Sequence, residues 1–175
     1  MLTGKQNELI KILLSSINEE EKIFCEPIIE YLVELGYIPK KRKKSSFLLD
    51  FEKNGRIISK FELQKDKENK ISLLFWLRFS ANKNYSKIFL DAVAKRPESW
   101  IKRNQFHKNH KIENCCGWCK GKPVFYYFLN DDGIKIIRCG GYTLPIEGVT
   151  ENDIPEIIIL IKEQDKHFSD MLEIK

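Results

Sequence analysis

The sequence predicts an α+β fold: an antiparallel sheet flanked by helices, with a C-terminal Cys-rich hairpin module and a closing helix. Three observations lead there. Apolar residues recur at helical spacing near both ends of the chain. Residues 71–79 alternate apolar and polar, so Ile71, Leu73, Phe75, Leu77 and Phe79 share one face of a strand. Glycine-centred turns at Lys53-Asn54-Gly55 and at Asn130-Asp131-Asp132-Gly133 divide strand-like runs into hairpins.

Element by element, Leu9, Ile10, Leu13, Leu14 and Ile17 form a helical stripe over residues 5–17. A second helix carries Ile28, Ile29, Leu32, Val33 and Leu35, with Pro27 suited to its first turn and Gly36 to the position just past its end. The pattern leaves the state of residues 18–26 open. Pro39, Lys40, Lys41, Arg42, Lys43 and Lys44 then read as a basic, solvated loop, although the run resembles a nuclear localisation signal.

Strands follow at 46–52 and 56–63. A two-residue Asn54-Gly55 turn would set Leu49 opposite Lys60 and Phe47 opposite Glu62. A three-residue loop with Gly55 left-handed sets Phe51 opposite Ile57 and Phe47 opposite Phe61. The second register keeps one face apolar and is the one expected. Asp50, Glu52, Lys60 and Glu62 are then ordinary solvent-face residues. With 71–79 the sheet has three strands.

Residues 85–95 are helical, with Asn84 as the expected cap and Pro97 as the stop. Residues 98–122 show no periodicity. Strands at 123–129 and 134–139 form the second hairpin, whose register the pattern leaves open, and 142–146 offers one more strand. Asp153 and Glu156 suggest a capping box, with Pro155 in the first turn, for a last helix burying Ile154, Ile157, Ile158, Ile161, Phe168 and Leu172. The expected organisation is a core domain over 1–97 and, over 98–175, the Cys-rich hairpin plus C-terminal helix packed on that same domain.

With 42% hydrophobic and 31% charged residues in 175, the chain is long enough and apolar enough to bury a core of its own. No apolar run approaches the length of a membrane span, and the first residues lack the parts of a signal peptide, so a cytoplasmic, reducing setting is expected and no membrane contact. The net charge of +5 is unevenly spread. Residues 1–36 carry −4 and residues 147–175 carry −5, which leaves +14 on residues 37–146. That asymmetry favours an anionic partner for the middle segment: nucleic acid, an acidic protein or a phosphorylated ligand. The competing explanation is internal, with acidic helices packed beside a basic sheet. The mixture of Trp100, Lys102, Arg103, Phe106, Lys108 and Lys111 suits stacking on bases and neutralising phosphates, but without a recognised reader motif it reads better as a basic loop whose aromatics pack on the sheet.

Chemistry is concentrated in the cysteines. Cys115, Cys116 and Cys119 lie in one short run, and Cys139 opens a Cys139-Gly140-Gly141 turn. In a reducing setting such clusters are metal ligands or redox thiols rather than disulfides. Cys25, alone in a helical stretch, reads as a small buried apolar residue. The C-x-x-C spacing of Cys116 and Cys119 lets one turn aim two thiolates at a point, and the second hairpin brings residue 139 back toward them. Zinc takes four tetrahedral thiolate or imidazole ligands. The expected set is Cys116, Cys119 and Cys139 with Cys115 fourth, and His110, His107 or His167 as its alternatives. A closed set of four is structural. A catalytic zinc needs an open position and a base, for which His110 and Glu113 are at hand, but no spacing requires it. The rival is a thiol-based redox enzyme using Cys116 and Cys119, with Lys120 and Lys122 lowering the thiol pKa. The residues after Cys119 lead into a strand rather than a helix, which counts against a thioredoxin-type site. No Ser-His-Asp set, phosphate loop or dinucleotide fingerprint is visible, so no catalytic residue is assigned.

Over roughly residues 20–95 the order helix, helix, antiparallel strands, helix resembles small bacterial proteins with a YdhG-like, frataxin-type α+β domain. The resemblance is carried by residues 31–37, by the strand Phe47-Leu48-Leu49-Asp50-Phe51, and by residues 74–79 running on to Tyr85 and Phe89. It implies a fold and a bacterial cytoplasmic setting rather than an activity. Frataxin itself binds iron through an acidic helix. Glu19, Glu20, Glu21, Glu26 and Glu30 are thin for that task, and the cysteine module at 115–139 lies outside the matched region.

Overall fold

A computed structural model describes residues 2–43, 46–65, 67–95, 125–129 and 135–173. It is an α+β protein. Helices α1 (Gly4–Ser15) and α2 (Glu19–Glu34) lead into strands β1 (Ile38–Lys41), β2 (Phe47–Lys53), β3 (Arg56–Lys65) and β4 (Ile71–Leu77). Helix α3 (Lys87–Ala94), the hairpin β5 (Phe125–Leu129) and β6 (Lys135–Cys139), strand β7 (Leu144–Ile146) and helix α4 (Ile154–Glu173) complete it. The main sheet is antiparallel with order β1-β2-β3-β4-β7, and β5-β6 pair separately.

Helix α2 starts at Glu19, eight residues before Pro27, with Asn18 as its cap. Asn18 and Glu21 exchange side-chain and backbone bonds in a capping box, at 2.8 and 3.1 Å. Pro27 therefore sits inside the helix. Both it and Ile23, whose carbonyl loses its donor, are exposed, so water can replace the missing bond. The other end is as expected. Gly36 has φ +85°, and the N–H groups of Gly36 and Tyr37 return to the carbonyls of Val33 and Leu32, both at 2.9 Å, in a Schellman closure.

The basic run does not form a loop throughout. Residues 38–41 are an edge strand, where Pro39 costs no central ladder bond. Its charges answer acids on β2. Lys40 donates to Glu52 at 2.7 Å, and Arg42 pairs with Asp50. Asp50 and Glu62, expected on the solvent face, are only 1% and 8% exposed. Glu62 accepts from the Ser46 hydroxyl at 3.0 Å. Part of the basic excess is thus spent inside the fold.

The first hairpin corrects the expected register. Asn54 and Gly55, at φ +52° and +75°, make a two-residue turn with Lys53 opposite Arg56. A bulge then shifts the pairing between Glu52 and Phe51, so Phe51 faces Ser59, Leu49 faces Phe61 and Phe47 faces Leu63. The extra residue on β3, Ile58, restores the apolar face that the tight turn alone would have scrambled. That face continues through Phe75 and Leu77 on β4 to Ile146 and Leu144 on β7. Beneath it lie α2, through Phe24 against Phe75, and α4, through Ile157, Leu160, Ile161 and Phe168. Residues before 97 and after 125 share this one hydrophobic cluster.

Two caps also differ from expectation. Ser86, not Asn84, stands at the N-cap position of α3, without a side-chain capping bond. Thr150 and Asp153 form the box before α4, through a single 3₁₀ turn, and Glu156 instead accepts the Ser86 N–H at 2.6 Å. Residues 98–122, with Trp100, Lys102, Arg103, Phe106, Lys108 and Lys111, lie outside the described residues.

Candidate metal centre

Cys139 is the residue of the expected zinc set that the structure describes. Cys115, Cys116 and Cys119, with His107 and His110, lie outside the described residues. Among those described, no group of three or more His, Cys, Asp or Glu side chains gathers in a metal-holding arrangement.

Cys139 ends β6 and pairs with Phe125, the first residue of β5. Cys119 precedes Phe125 by six positions in the sequence, 125 less 119. The side chain of Cys139 is buried, and its sulfur accepts the N–H of Gly141 at 3.4 Å. A backbone donor two residues on is the kind of bond that spreads the charge of a thiolate and fixes its direction.

The turn that carries this sulfur is bolted to the core. The hydroxyl of Ser80, just past β4, donates to the Gly140 carbonyl at 2.9 Å. Ser80 in turn lies 3.4 Å from the side-chain oxygen of Gln164 on α4, which also accepts the Ala81 N–H at 3.0 Å. Gln164 is fully buried. On the other side, the Tyr126 hydroxyl donates to the Tyr142 carbonyl at 2.7 Å and accepts the Phe79 N–H at 3.4 Å. The ring of Tyr126 stands edge-on to Phe79, with centroids 4.7 Å apart. Residues 140 and 142 are therefore each held by a side chain that reaches in from elsewhere. His167 is half-buried on α4, one turn beyond Gln164.

Cys25 is the contrasting thiol. It is fully buried, and burial, with Glu21 and Glu26 adding to it, pushes its pKa far above the usual thiol range. It stays protonated and apolar in behaviour, as the sequence suggests.

A second polar group is also anchored on α4. The phenol of Tyr37 and the ammonium of Lys53 both donate to Asp165 on α4, each at 2.9 Å. Burial foremost, then Asp165, raises the Tyr37 pKa well above the phenol range, while Arg78 and Arg56 pull it the other way. Sequence reading missed this group because its members are far apart in the chain and none belongs to a motif.

The chain matches no family model, no curated protein and no solved structure. Among the described residues, no helix is long and apolar enough to cross a membrane.

Proposed function

We propose that this is a non-enzymatic binding protein in which a structural zinc, held by Cys116, Cys119 and Cys139 with Cys115 as the fourth ligand, organises a basic segment that contacts an anionic partner. One observation carries the reading most: the sulfur of Cys139 is buried, accepts a backbone N–H, and sits on a turn fixed to the core through Ser80 and Gln164. Such a bond and such a mount orient a sulfur ligand, and the N–H would offset its charge once zinc binds. The donor chemistry suits zinc, whose closed sulfur sites stabilise segments too small for a core of their own.

Elemental analysis of the purified chain tests this. About one zinc per chain is expected, lost on chelation together with folded hairpin signal, and lost in Cys139→Ser. Metal-free protein with an alkylation-sensitive Cys116 or Cys119 would replace this reading with the thiol-based redox enzyme. Binding to the anionic partner should weaken steeply with added salt.

A further inference from the structure

We propose that the end of the sheet carrying Lys41, Lys43 and Lys65 is a docking surface for single-stranded nucleic acid. Strand alternation divides the basic run 39–44. Lys40 and Arg42 point to one side, where they meet Glu52 and Asp50 of β2. Lys41, between them, points to the other. It pairs with Leu49 of the core face, and its ammonium lies over the ring of Phe47, 5.2 Å from the centroid. Lys43 follows and is exposed. Lys65, the last residue of β3, shares a face with Leu63 and Phe61 and pairs with Ile71. Among the described residues, Lys41, Lys43 and Lys65 are in no ion pair.

The floor between these lysines is apolar and open. Phe47, Leu63 and Leu73 are cross-strand partners, each half-buried, and Ile71 beyond them is 40% exposed. The helical layer stops short of this end. Glu21, in the first turn of α2, accepts the Leu73 N–H at 2.9 Å, and Phe24 further along meets Phe75, so α2 starts beside Leu73 and advances away from Ile71. The other oxygen of Glu21 takes the Asn18 N–H, which commits that carboxylate to backbone donors. Lys41 lies two residues short of the level of Phe47 and Lys65 two residues beyond it, on the strands to either side, so the two charges flank the ring diagonally. Separated cations along an aromatic and aliphatic floor fit a chain of phosphates with unstacked bases between them: the phosphates take the lysines, and base faces lie on Phe47 and Ile71. A duplex stacks its base faces on one another and would leave the floor unused. The surface names the partner class within the proposed function and rests on that reading for the sign of its ligand, but it contains no metal ligand.

Fluorescence anisotropy of the full chain with a labelled oligodeoxythymidylate about twelve nucleotides long tests it. Saturable binding is expected, with log affinity falling against log salt at a slope of about −2, as three phosphate contacts on a single strand give. Lys41→Gln, Lys43→Gln and Lys65→Gln should each flatten that slope by about 0.7. Phe47→Leu should weaken binding roughly tenfold and leave the slope unchanged. In wild-type protein, independent of any variant's folding, amide resonances of Lys41, Lys43, Phe47, Lys65 and Ile71 should shift on titration. No binding, wild-type affinity and slope in the triple Gln variant, shifts confined to other residues, or tighter binding to a duplex of equal length or to phosphatidylserine vesicles would overturn the surface. Zinc chelation separates it from the proposed function. Binding that survives chelation and is lost in the triple variant supports this surface whatever becomes of the zinc. Binding that is lost on chelation and unchanged in the triple variant removes this surface and leaves the metal reading intact.

Discussion

The phenol of Tyr37, at the corner between α2 and β1, donates to Asp165 in the middle of α4 at 2.9 Å. This bond joins the first half of the chain to its last helix, and Lys53 shares the same carboxylate. Tyr37→Phe keeps the buried ring and removes one bond to a charged acceptor, so a loss of about 1.5 kcal/mol is expected. Asp165→Ala should cost more, about 2–3 kcal/mol, because it leaves the Tyr37 hydroxyl buried without its acceptor. Urea denaturation of the two variants and their double measures the coupling. In the Asp165→Ala background, Tyr37→Phe should cost almost nothing; an unchanged cost would show the bond to be energetically idle.

Stability should also fall in alkali. The pKa of Tyr37 is raised in the folded state, so its contribution is complete below the ordinary phenol value of about 10 and is lost as pH rises beyond it. Cys25 acts in the same sense from its lower ordinary value of about 8.5. In both cases the unfolded chain releases its proton first, which pulls the equilibrium toward unfolding. Denaturation midpoints followed from pH 8 to 11 should decline in wild type. Cys25→Ala should flatten the earlier part of the decline and Tyr37→Phe the later part. Parallel curves for all three proteins would contradict the assignment.

Pro27 makes a different kind of prediction. It occupies a helix interior, where its ring removes one backbone bond and crowds the preceding turn. Its side chain is exposed, so replacing it deletes no core contact. Pro27→Ala should raise stability, by about 1–3 kcal/mol, within the range that separates the two residues in helices. Thermal denaturation reads the change, and a fall in midpoint would show that α2 is built around the proline.

Pro27 also illustrates what the sequence conceals. The pattern leaves residues 18–26 open, yet Asn18 and Glu21 stand at capping-box spacing and start the helix there. Gly36 and the alternation along β4 were legible because each depends on local backbone geometry alone. Strand β1 was not, because it has no apolar alternation and is tied to β2 by Lys40 and Arg42 meeting acids. The bulge at Ile58 leaves no mark in a period-two pattern, yet it decides every pairing beyond Glu52. At the candidate metal centre, residue type singled out Cys139, and nothing local pointed to Ser80 or Gln164. Such partners come from the tertiary fold, 60 and 84 positions apart for the Ser80 contacts.

Ser80 therefore provides the sharpest test of how the cysteine is presented. Its hydroxyl holds the Gly140 carbonyl, one residue past the proposed ligand and one before the N–H that bonds the sulfur. Ser80→Ala should lower stability by about 1 kcal/mol through the lost bond. On the zinc reading it should also weaken metal affinity 10- to 100-fold or so, the usual effect of losing a group that orients a ligand. Competition against a chromophoric chelator measures the second effect. Ser16→Ala, which removes a hydroxyl bonded only within α1 to the Ile12 carbonyl, serves as the control and should leave zinc affinity unchanged. Equal affinities in Ser80→Ala and wild type, alongside the expected loss of stability, would mean that the bracket holds the hairpin to the core without aiming the thiolate.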